Sequence, residues 1–244
     1  MKILFTGGGT GGHFYPLIAI AEAMNKLVDE EKIINLKMYY MADVPYDTNA
    51  LKAEYIKFIP VTAGKLRVYP SFKNFIDAIK TFFGIFGAIR KVFVLYPDVV
   101  VSKGGYPAFP VLVAARLLRI PVIIHESDTM PGRVNKWAGK FAVKVAIAFP
   151  EAAAFFDESK VSLVGQPTRR TTTIAATEDP VKFFDLDQSL PVIGVLGGSQ
   201  GAKAVNDMII EILPQLVDKY QVIHQAGPGQ YESVLEDSHI VLEG

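Results

Sequence analysis

The chain of 244 residues is half apolar, carries 25 basic and 25 acidic side chains, and has no cysteine. Because the charge is balanced, there is no electrostatic case for nucleic-acid binding, and without cysteine there are no disulfides or cysteine-bound zinc. The longest uncharged apolar segments are well short of the roughly 20 residues that a membrane-spanning helix needs. We therefore expect a cytoplasmic protein without a transmembrane segment.

Strand and helix patterns alternate along the chain, which is typical of an α/β protein with a parallel sheet and helices on both faces. Strands are predicted at 2–5, 36–42, 58–61, 98–102, 122–124, 143–148 and 161–164. Helices are predicted at 14–27, 48–55, 72–95 and 130–140, and a further one follows residue 106 and ends near 118. The helix over 72–95 is expected to be lightly broken at Gly84 and Gly87.

A threonine-rich connection then separates two domains. We predict a first domain over 1–164, a linker over 165–190 and the start of a second domain over 191–244. The second domain is predicted to contain strands at 192–196, 221–225 and 240–242 and helices at 202–217 and 230–236. A doubly wound domain normally has more strands than these, so we expect the second domain to be incomplete.

The first strand runs directly into a glycine loop, GGGTGG over 7–12, and a helix follows. Glycine lets the backbone turn tightly, and the first turn of a helix presents unpaired N–H groups to an anion. The loop therefore predicts a phosphate site. By its letters it also satisfies the dinucleotide fingerprint, for which Asp43 is the candidate acidic residue, so a nicotinamide-dependent oxidoreductase remains an alternative. His13 is either a catalytic base beside this site or an ordinary helix-start residue.

A second glycine loop, GGSQG over 197–201, repeats the strand, loop and helix in the second domain. Two such corners in one chain indicate two ligand-binding halves that close over a cleft. The alternative interpretation is two unrelated tight turns.

Together the motifs resemble those of a known family. They are GGGTGGH (7–13), KGGY (103–106), IHE (124–126), NK (135–136), VGQPTR (164–169) and GGSQGA (197–202). Their order and spacing are similar to those of the MurG family, the membrane-associated N-acetylglucosaminyltransferases of peptidoglycan synthesis. The resemblance implies two Rossmann-like domains of the glycosyltransferase B type. It implies inverting transfer of N-acetylglucosamine from UDP-N-acetylglucosamine to the 4-hydroxyl of the muramoyl sugar of lipid I, which gives lipid II.

The resemblance also implies roles for individual residues. It implies that His13 is the catalytic base and that the UDP-N-acetylglucosamine contacts are Thr10, Gly11, Gly12, Asp128, Arg169 and Ser199. Asp128 stands where the family has an asparagine, and a carboxylate accepts hydrogen bonds but cannot donate them as an amide does. The role at that position is therefore open.

Two further groups lie at predicted strand ends, where ligands of open α/β sheets gather. Gly9, Lys103, Gly104, Gly105 and Tyr106 are candidates for the acceptor diphosphate. For His125 and Glu126, contact with substrate and hydrogen bonding to neighbouring backbone are both open.

No metal and no cofactor are expected. Asp185 and Asp187 spell the D-x-D of metal-dependent transferases, but they lie in the linker before a strand, so we interpret them as a solvated turn. An inverting transfer needs a base at the acceptor hydroxyl and fixed dipoles at the leaving diphosphate. Histidine titrates near the working pH and suits the first task.

The helix over 72–95 carries phenylalanine and isoleucine at intervals of three and four residues beside lysine and arginine. This pattern fits either an ordinary core face or a patch that docks on the cytoplasmic face of the membrane. The residues of the predicted membrane patch are Phe75, Ile79, Lys80, Phe82, Phe83 and Phe86.

The primary hypothesis is therefore a peripheral membrane transferase with UDP-N-acetylglucosamine and lipid I as partners and no nucleic acid. Because the family's uridine contacts lie mostly beyond residue 244, we expect these residues alone to transfer the sugar slowly or not at all. The alternative is a non-catalytic truncated homologue, or the acceptor-binding chain of a split glycosyltransferase.

Overall fold

The computed structural model describes residues 1–30, 35–65, 72–172, 179–198, 201–230, 232 and 234. It divides into two compact units, Met1–Thr173 and Ile174–Gly244. The division falls within the stretch that the sequence predicted as a linker. The predicted helix over 230–236 lies almost wholly outside the described residues, and the predicted strand over 240–242 lies wholly outside them.

The first unit is built on strands that alternate with helices. Its strands are β1 (Lys2–Gly7), β2 (Lys37–Ala42), β3 (Ile56–Pro60), β4 (Val99–Gly104), β5 (Val122–Glu126), β6 (Lys144–Ile147) and β7 (Val161–Leu163). Its helices are α1 (Gly11–Glu30), α2 (Thr48–Ala53), α3 (Phe72–Leu95), α4 (Ala108–Leu117) and α5 (Arg133–Ala138). Short 3-10 helices lie at Pro150–Phe155, Glu158–Lys160 and Arg170–Thr172.

The seven strands form one parallel sheet in the order β3-β2-β1-β4-β5-β6-β7. The chain winds outward from β1 to β3, then crosses back to place β4 on the other side of β1. This reversal is the switch point at which open α/β sheets bind ligands, at the carboxyl ends of the strands. Both glycine loops of the first unit, after β1 and after β4, therefore emerge at the same place.

Helices cover both faces of the sheet, because its strands are apolar on both sides. Along β1, Ile3 and Phe5 point into a core shared with α1, whereas Leu4 points into a second core shared with α4. Val100 on β4 belongs to the core of Leu4. The alternation along one strand thus builds two separate cores, which hold the switch point rigid from both sides.

Three strands continue further than the sequence predicted. The pattern ended β1 at Phe5, β4 at Ser102 and β5 at Ile124, whereas the strands continue to Gly7, Gly104 and Glu126. Lys103, His125 and Glu126 are therefore strand residues whose side chains are largely buried. In these strands the apolar residues end before the backbone hydrogen bonding does. Polar residues can continue the backbone pairing where their side chains find hydrogen-bond partners.

The expected break in α3 was wrong, because the helix runs unbroken from Phe72 to Leu95. Gly84 is buried against the segment that follows β3, and a methyl group added there would lie 1.8 Å from the carbonyl oxygen of Thr62. This glycine therefore permits a close approach of two backbones and does not interrupt the helix.

The described part of the second unit begins with α6 (Pro180–Phe183) and continues with β8 (Val192–Leu196), α7 (Lys203–Leu216) and β9 (Gln221–Gln225). The two strands pair in parallel, with Ile193 opposite Val222. Ile209 and Leu213 of α7 are buried, as is Val195 of β8. The predicted strand, helix and second strand are therefore present, and part of the loop between the first strand and the helix lies outside the described residues.

Candidate functional site

The site begins where β1 passes into α1. The carbonyl oxygen of Thr10 accepts hydrogen bonds from the backbone N–H groups of His13 and Phe14, both at 3.2 Å, which starts the helix. The N–H groups of the first turn, and the positive end of the helix dipole, therefore face the glycine loop. This geometry can accept an anion at the position that the sequence predicted.

The glycine loop after β4 packs directly on the glycine loop after β1. Gly105 has φ +80°, and a Cβ atom there would lie 2.6 Å from the carbonyl oxygen of Gly8 and 3.4 Å from Cδ2 of His13. Only glycine permits both the left-handed backbone and this approach. The structure therefore brings Gly9, Gly104 and Gly105 together, whereas their contact with a diphosphate stays a prediction.

His13 lies between these loops and is half-buried. Its Nδ1 atom is 2.9 Å from the hydroxyl oxygen of Thr10, which orients the imidazole ring. Burial lowers the pKa of His13 below its usual 6.5, and the nearby charge of Lys103 lowers this pKa further, while Glu126 and Asp128 partly oppose the shift. The ring is therefore neutral at physiological pH, which is the form that can take up a proton.

Lys103 and Tyr106 have internal hydrogen-bond partners. Lys103 is 2% exposed, and its ammonium group donates to the hydroxyl of Ser127, which donates in turn to Gln166. Burial lowers the pKa of Lys103, an effect that Glu126 and Asp128 oppose. The phenol of Tyr106 donates to Asp43 at 2.6 Å, and burial together with this carboxylate raises the Tyr106 pKa. Contact of either side chain with a diphosphate stays a prediction.

Glu126 fixes the loop that follows β5. One carboxylate oxygen accepts hydrogen bonds from the backbone N–H groups of Ser127 and Asp128, at 2.8 and 3.0 Å. The other accepts from the N–H of Gly132 and from the amide of Asn135, at 3.1 and 3.0 Å. The structure shows the hydrogen bonds of Glu126 to neighbouring backbone, whereas its contact with substrate stays a prediction.

His125 and Asn135 complete this framework from buried positions. The Nε2 atom of His125 lies 2.9 Å from the carbonyl oxygen of Gly165, so β5 is joined to the segment after β7. Burial lowers the pKa of His125. The amide of Asn135 donates to the carbonyl oxygen of His125 at 3.1 Å as well as to Glu126. The sequence singled out Asn135 only as part of a family motif, although a buried asparagine in a short helix already indicates a polar network.

A cavity of about 460 Å³ opens beside His13 within the first unit. It is lined by His13, Gly64, Thr81, Gly105, Tyr106, Phe109, Glu126, Asp128, Gly132, Arg133, Val134, Asn135 and Trp137. The volume lies in the range of about 300–1,000 Å³ that is usual for ligand sites. His13, Asp128 and Gly105 of the loop after β4 therefore share one cavity, as a substrate site requires.

Arg169 is not among the residues that line this cavity. Its guanidinium lies 4.0 Å from the centre of the Tyr15 ring, one turn into α1. The Tyr15 ring also lies next to Gly11, since a Cβ atom added to that glycine would be 3.3 Å away from it. The Tyr15 ring is thus in contact with both Arg169 and the first glycine loop at Gly11. Sequence patterns did not indicate Tyr15, because a cation over a ring joins residues far apart in the chain.

In the second unit, Ser199 lies outside the described residues, so its predicted contact stays a prediction. Gly201 packs against the end of β9, where an added Cβ atom would lie 2.0 Å from the carbonyl oxygen of Ala226. Asn206 is buried in α7 and donates to that same oxygen at 3.0 Å, while its own carbonyl faces Nε2 of His224 at 2.9 Å. The sequence analysis did not identify Asn206. An asparagine inside an apolar helix was the signal that could have indicated it.

The carboxylates of the D-x-D sequence lie in a turn. Asp187 accepts hydrogen bonds from the backbone N–H and the hydroxyl of Ser189, at 2.8 and 2.7 Å. These bonds lower the pKa of Asp187. Among the described residues no group of three or more histidine, aspartate or glutamate side chains is arranged to hold a metal ion.

The outer face of α3 is unusually apolar. The side chains of Phe75, Ile79, Phe82, Phe83 and Phe86, which we name the apolar ridge, are between 44% and 66% exposed. Monomeric proteins rarely expose contiguous apolar patches of this kind without an interaction at them. In the described part of the chain, no helix has the length and hydropathy needed to cross a bilayer.

These elements define a Rossmann-like α/β protein of the glycosyltransferase B type, in which a doubly wound domain with glycine loops at its switch point is followed by a second strand, loop and helix. Residues 3–147 match the glycosyltransferase family 28 N-terminal domain, and residues 192–242 match the glycosyltransferase family 28 C-terminal domain. The chain belongs to glycosyltransferase family 28.

Curated relatives carry the name UDP-N-acetylglucosamine--N-acetylmuramyl-(pentapeptide) pyrophosphoryl-undecaprenol N-acetylglucosamine transferase. One from Bacillus thuringiensis (strain Al Hakam) is 36% identical over 236 residues, which are 97% of this chain and 65% of the relative. One from Clostridium botulinum (strain Loch Maree / Type A3) is 35% identical over 237 residues, with the same coverage. The chain thus spans about 65% of the length of these relatives.

Solved structures agree with the fold. The crystal structure of Acinetobacter baumannii MurG superposes with a TM-score of 0.64 at 27% identity, covering 98% of this chain and 64% of that one. UDP-GlcNAc 2-epimerase from Neisseria meningitidis superposes with a TM-score of 0.65 at 15% identity, covering 97% and 69%, and shows the fold alone. The resemblance to the MurG family and the predicted fold class are confirmed.

Proposed function

We propose that the protein acts in peptidoglycan synthesis as an inverting transferase that moves N-acetylglucosamine from UDP-N-acetylglucosamine to the 4-hydroxyl of the muramoyl sugar of lipid I. The membership of family 28 and the names of the relatives support the donor and the acceptor class. On this proposal the first unit binds the acceptor and the second unit contributes to nucleotide-sugar binding.

The observation that carries the proposal is the position of His13, which is a neutral imidazole held at the wall of a ligand-sized cavity beside an anion site. With its hydrogen on Nδ1, the ring donates to Thr10 and keeps the lone pair on Nε2 free to accept a proton. Nε2 then takes the proton of the 4-hydroxyl while that oxygen attacks the anomeric carbon of the donor. The bond from the anomeric carbon to the diphosphate oxygen breaks, and UDP leaves with the electron pair from the opposite face, which inverts the configuration.

The leaving diphosphate gains negative charge as that bond breaks. Two kinds of group can stabilise this negative charge without reorganising. The N–H groups at the start of α1 are fixed dipoles, and the guanidinium of Arg169 is a fixed positive charge. Asp128, exposed at the cavity, would accept a hydrogen bond from a hydroxyl of the donor sugar. These roles for Thr10, Gly11, Gly12, Asp128, Arg169 and Ser199 belong to the proposal.

Replacing His13 tests the chemistry. With UDP-N-acetylglucosamine and a lipid I analogue, we expect His13→Ala to lower kcat at least about 100-fold, as the loss of a general base predicts. The near-ultraviolet circular dichroism spectrum serves as the control for folding. A loss of less than about tenfold, which is about 1.4 kcal/mol of barrier, is too small for a base and would reject the mechanism.

A second candidate is the acceptor-binding chain of a split transferase, and one observation favours it: every residue that lines the cavity lies in the first unit. Calorimetry with UDP-N-acetylglucosamine tests the second candidate. Micromolar binding by these 244 residues would reject a chain that holds only the acceptor, and it would contradict the expectation of slow transfer. Absent or millimolar binding agrees with both candidates, because slow transfer is expected of these residues in either case.

We also propose that the apolar ridge docks on the cytoplasmic face of the membrane. Its exposed phenylalanines lie beside Lys80 and Arg90, and basic side chains next to an apolar face favour anionic lipid surfaces. In sedimentation with phosphatidylglycerol vesicles, we expect Phe82→Ser with Phe83→Ser to reduce bound protein at least about tenfold. Tyr55→Ser is the matched control, because Tyr55 is 85% exposed but lies outside the ridge. An equal loss of vesicle binding in the ridge variant and in Tyr55→Ser would reject the apolar ridge as the membrane-docking surface.

A further inference from the structure

The cavity beside His13 has walls of different chemistry. His13, Glu126 and Asp128 form a polar side, while Phe109, Val134 and Trp137 form an apolar side. The rings of Phe109 and Trp137 lie 5.1 Å apart between centroids, at an interplanar angle of 50°. This aromatic pair is supported from behind by Phe141, whose ring centroid is 4.9 Å from that of Trp137. The apolar side is therefore a rigid surface.

A diphosphate does not need this surface. It is a polar anion, and the glycine loops and the start of α1 already supply the dipoles that suit it. Apolar surface that lines a cavity gains free energy only when an apolar group displaces water from it. The pair of Phe109 and Trp137 therefore indicates a ligand that has an apolar part next to its polar part.

The apolar side is continuous with the helix that carries the apolar ridge. Thr81 of α3 lines the cavity, and Phe82 and Phe83 follow it directly on the outer face. The hydroxyl of Thr81 donates to the carbonyl oxygen of Asp77 and accepts from the N–H of Gly64 at 3.1 Å. These bonds satisfy the only polar atom of this side chain, so Thr81 adds no unmet hydrogen bond to the cavity wall. One helix thus borders both the cavity and the exposed ridge.

We propose that the apolar side of the cavity, formed by Phe109, Val134 and Trp137, binds the isoprene units nearest the diphosphate of a polyprenyl-linked acceptor. The inference rests on the proposed function and deepens it by naming the part of the acceptor that this wall recognises. The names of the relatives include pyrophosphoryl-undecaprenol, a ligand in which an apolar chain joins a diphosphate directly. A cavity of about 460 Å³ holds only the first units of such a chain, so the remainder continues outside it.

Trp137 provides a direct probe, because it is the single tryptophan of the chain. Its fluorescence is measured during titration with geranylgeranyl diphosphate below its aggregation concentration, without vesicles. We expect a saturable blue shift, because the prenyl chain displaces water from the indole. Inorganic diphosphate is the matched ligand without the chain, and we expect it to leave the emission maximum unchanged. An equal shift with both ligands, or none with either, overturns the inference.

Variants locate the bound chain. Val134→Phe fills the cavity, and Phe109→Leu removes half of the aromatic pair with little change in polarity. We expect each to weaken geranylgeranyl diphosphate binding about tenfold, as the loss of a central apolar contact predicts. Phe83→Ser is the control on the exposed ridge and should leave this affinity unchanged. Unchanged affinity in both cavity variants, or a loss confined to Phe83→Ser, overturns the inference, and two cavity variants guard against one that fails to fold.

A transfer assay separates this inference from the proposed function. Acceptor analogues with a prenyl chain and with a methyl group in its place are compared at equal concentration. A KM for the prenyl acceptor that is at least about tenfold lower, and that rises in Val134→Phe, supports the subsite. Equal KM values with measurable transfer would overturn the subsite and leave the transferase standing. Absence of transfer to any acceptor, in a preparation that binds UDP-N-acetylglucosamine with micromolar affinity, would overturn the proposed function itself, whereas the fluorescence result would still decide whether the wall binds isoprene units.

Discussion

The guanidinium of Arg169 lies 4.0 Å from the centre of the Tyr15 ring, so a residue that follows the last strand of the first unit is held against the first turns of its first helix. The phenol of Tyr15 reaches Asp47 at 3.3 Å, which fixes the ring from its other end. Burial and this carboxylate raise the pKa of Tyr15, so the phenol stays protonated at physiological pH. Under the proposed function, the guanidinium of Arg169 contacts the donor, and Tyr15 is therefore a positioning residue for Arg169.

Replacing Tyr15 tests this arrangement. We expect Tyr15→Leu to raise the KM for UDP-N-acetylglucosamine about fivefold with little change in kcat, because a cation over a ring contributes about 1 kcal/mol. Tyr15→Phe keeps the ring and loses only the bond to Asp47, so its KM should stay close to that of the parent. The kinetics are measured at saturating acceptor. Equal effects of the two variants would show that the ring does not position Arg169.

The pH dependence of His13 follows from its surroundings. Burial and the charge of Lys103 hold the His13 pKa below 6.5, so the imidazole stays neutral until the pH falls below that value. A base must be unprotonated to act, and kcat/KM should therefore decline only on the acid side of pH 6.5. Removing the cation in Lys103→Met should raise the His13 pKa and move this decline towards higher pH.

The His13 pKa is measured by NMR titration of the imidazole C–H signals, alongside the pH profile of the rate. Lys140→Met is the matched control, since it removes an exposed lysine that is not among the groups that shift the His13 pKa. A His13 pKa above 6.5 in the parent protein, or an identical pKa in Lys103→Met, would contradict the electrostatic account.

The carboxylate of Glu126 is 4% exposed and accepts four hydrogen bonds from the loop after β5 and from Asn135. We expect Glu126→Ala to lower the free energy of unfolding by about 3 kcal/mol, because buried donors lose their charged acceptor. Urea denaturation measures the change. Glu151→Ala is the control at an exposed glutamate and should stay within about 0.5 kcal/mol. Similar midpoints for the two variants would mean that Glu126 does not hold the loop.

The local patterns of the sequence predicted the strands of the parallel sheet, both glycine loops of the site and the presence of His13 beside them. These features depend on residues that are close in the chain, such as the valines of β4 or the glycines before α1. The partners of Tyr15 and Asn206 were beyond reach, because each contact joins segments that only the folded sheet brings together. The ends of β4 and β5 were misjudged because Lys103 and Glu126 are polar strand residues. The ammonium group of Lys103 is satisfied by Ser127, 24 residues further along the chain, and the carboxylate of Glu126 is satisfied by N–H groups of the loop that follows it.

Gly84 and Gly87 show why a propensity rule failed in α3. Glycine costs a helix interior about 0.5–1 kcal/mol relative to alanine, which a packed helix readily tolerates. At Gly84 the requirement comes from outside the helix, because an added methyl group would lie 1.8 Å from the carbonyl oxygen of Thr62. At Gly87 an added methyl group would meet no described atom within 4 Å beyond its own helix backbone and its chain neighbours. The two glycines are thus a matched pair on one helix.

We expect Gly84→Ala to lower the free energy of unfolding by about 1–3 kcal/mol, because the helix must move away from the carbonyl of Thr62. Gly87→Ala should instead raise it by about 0.5–1 kcal/mol, since alanine favours the helix and meets no obstacle. Urea denaturation of both variants and the parent gives the two changes from one experiment. Because the substitution is chemically the same at both sites, opposite signs isolate the contact with Thr62 from helix propensity. Stabilisation by both substitutions would mean that α3 does not approach the segment after β3 this closely.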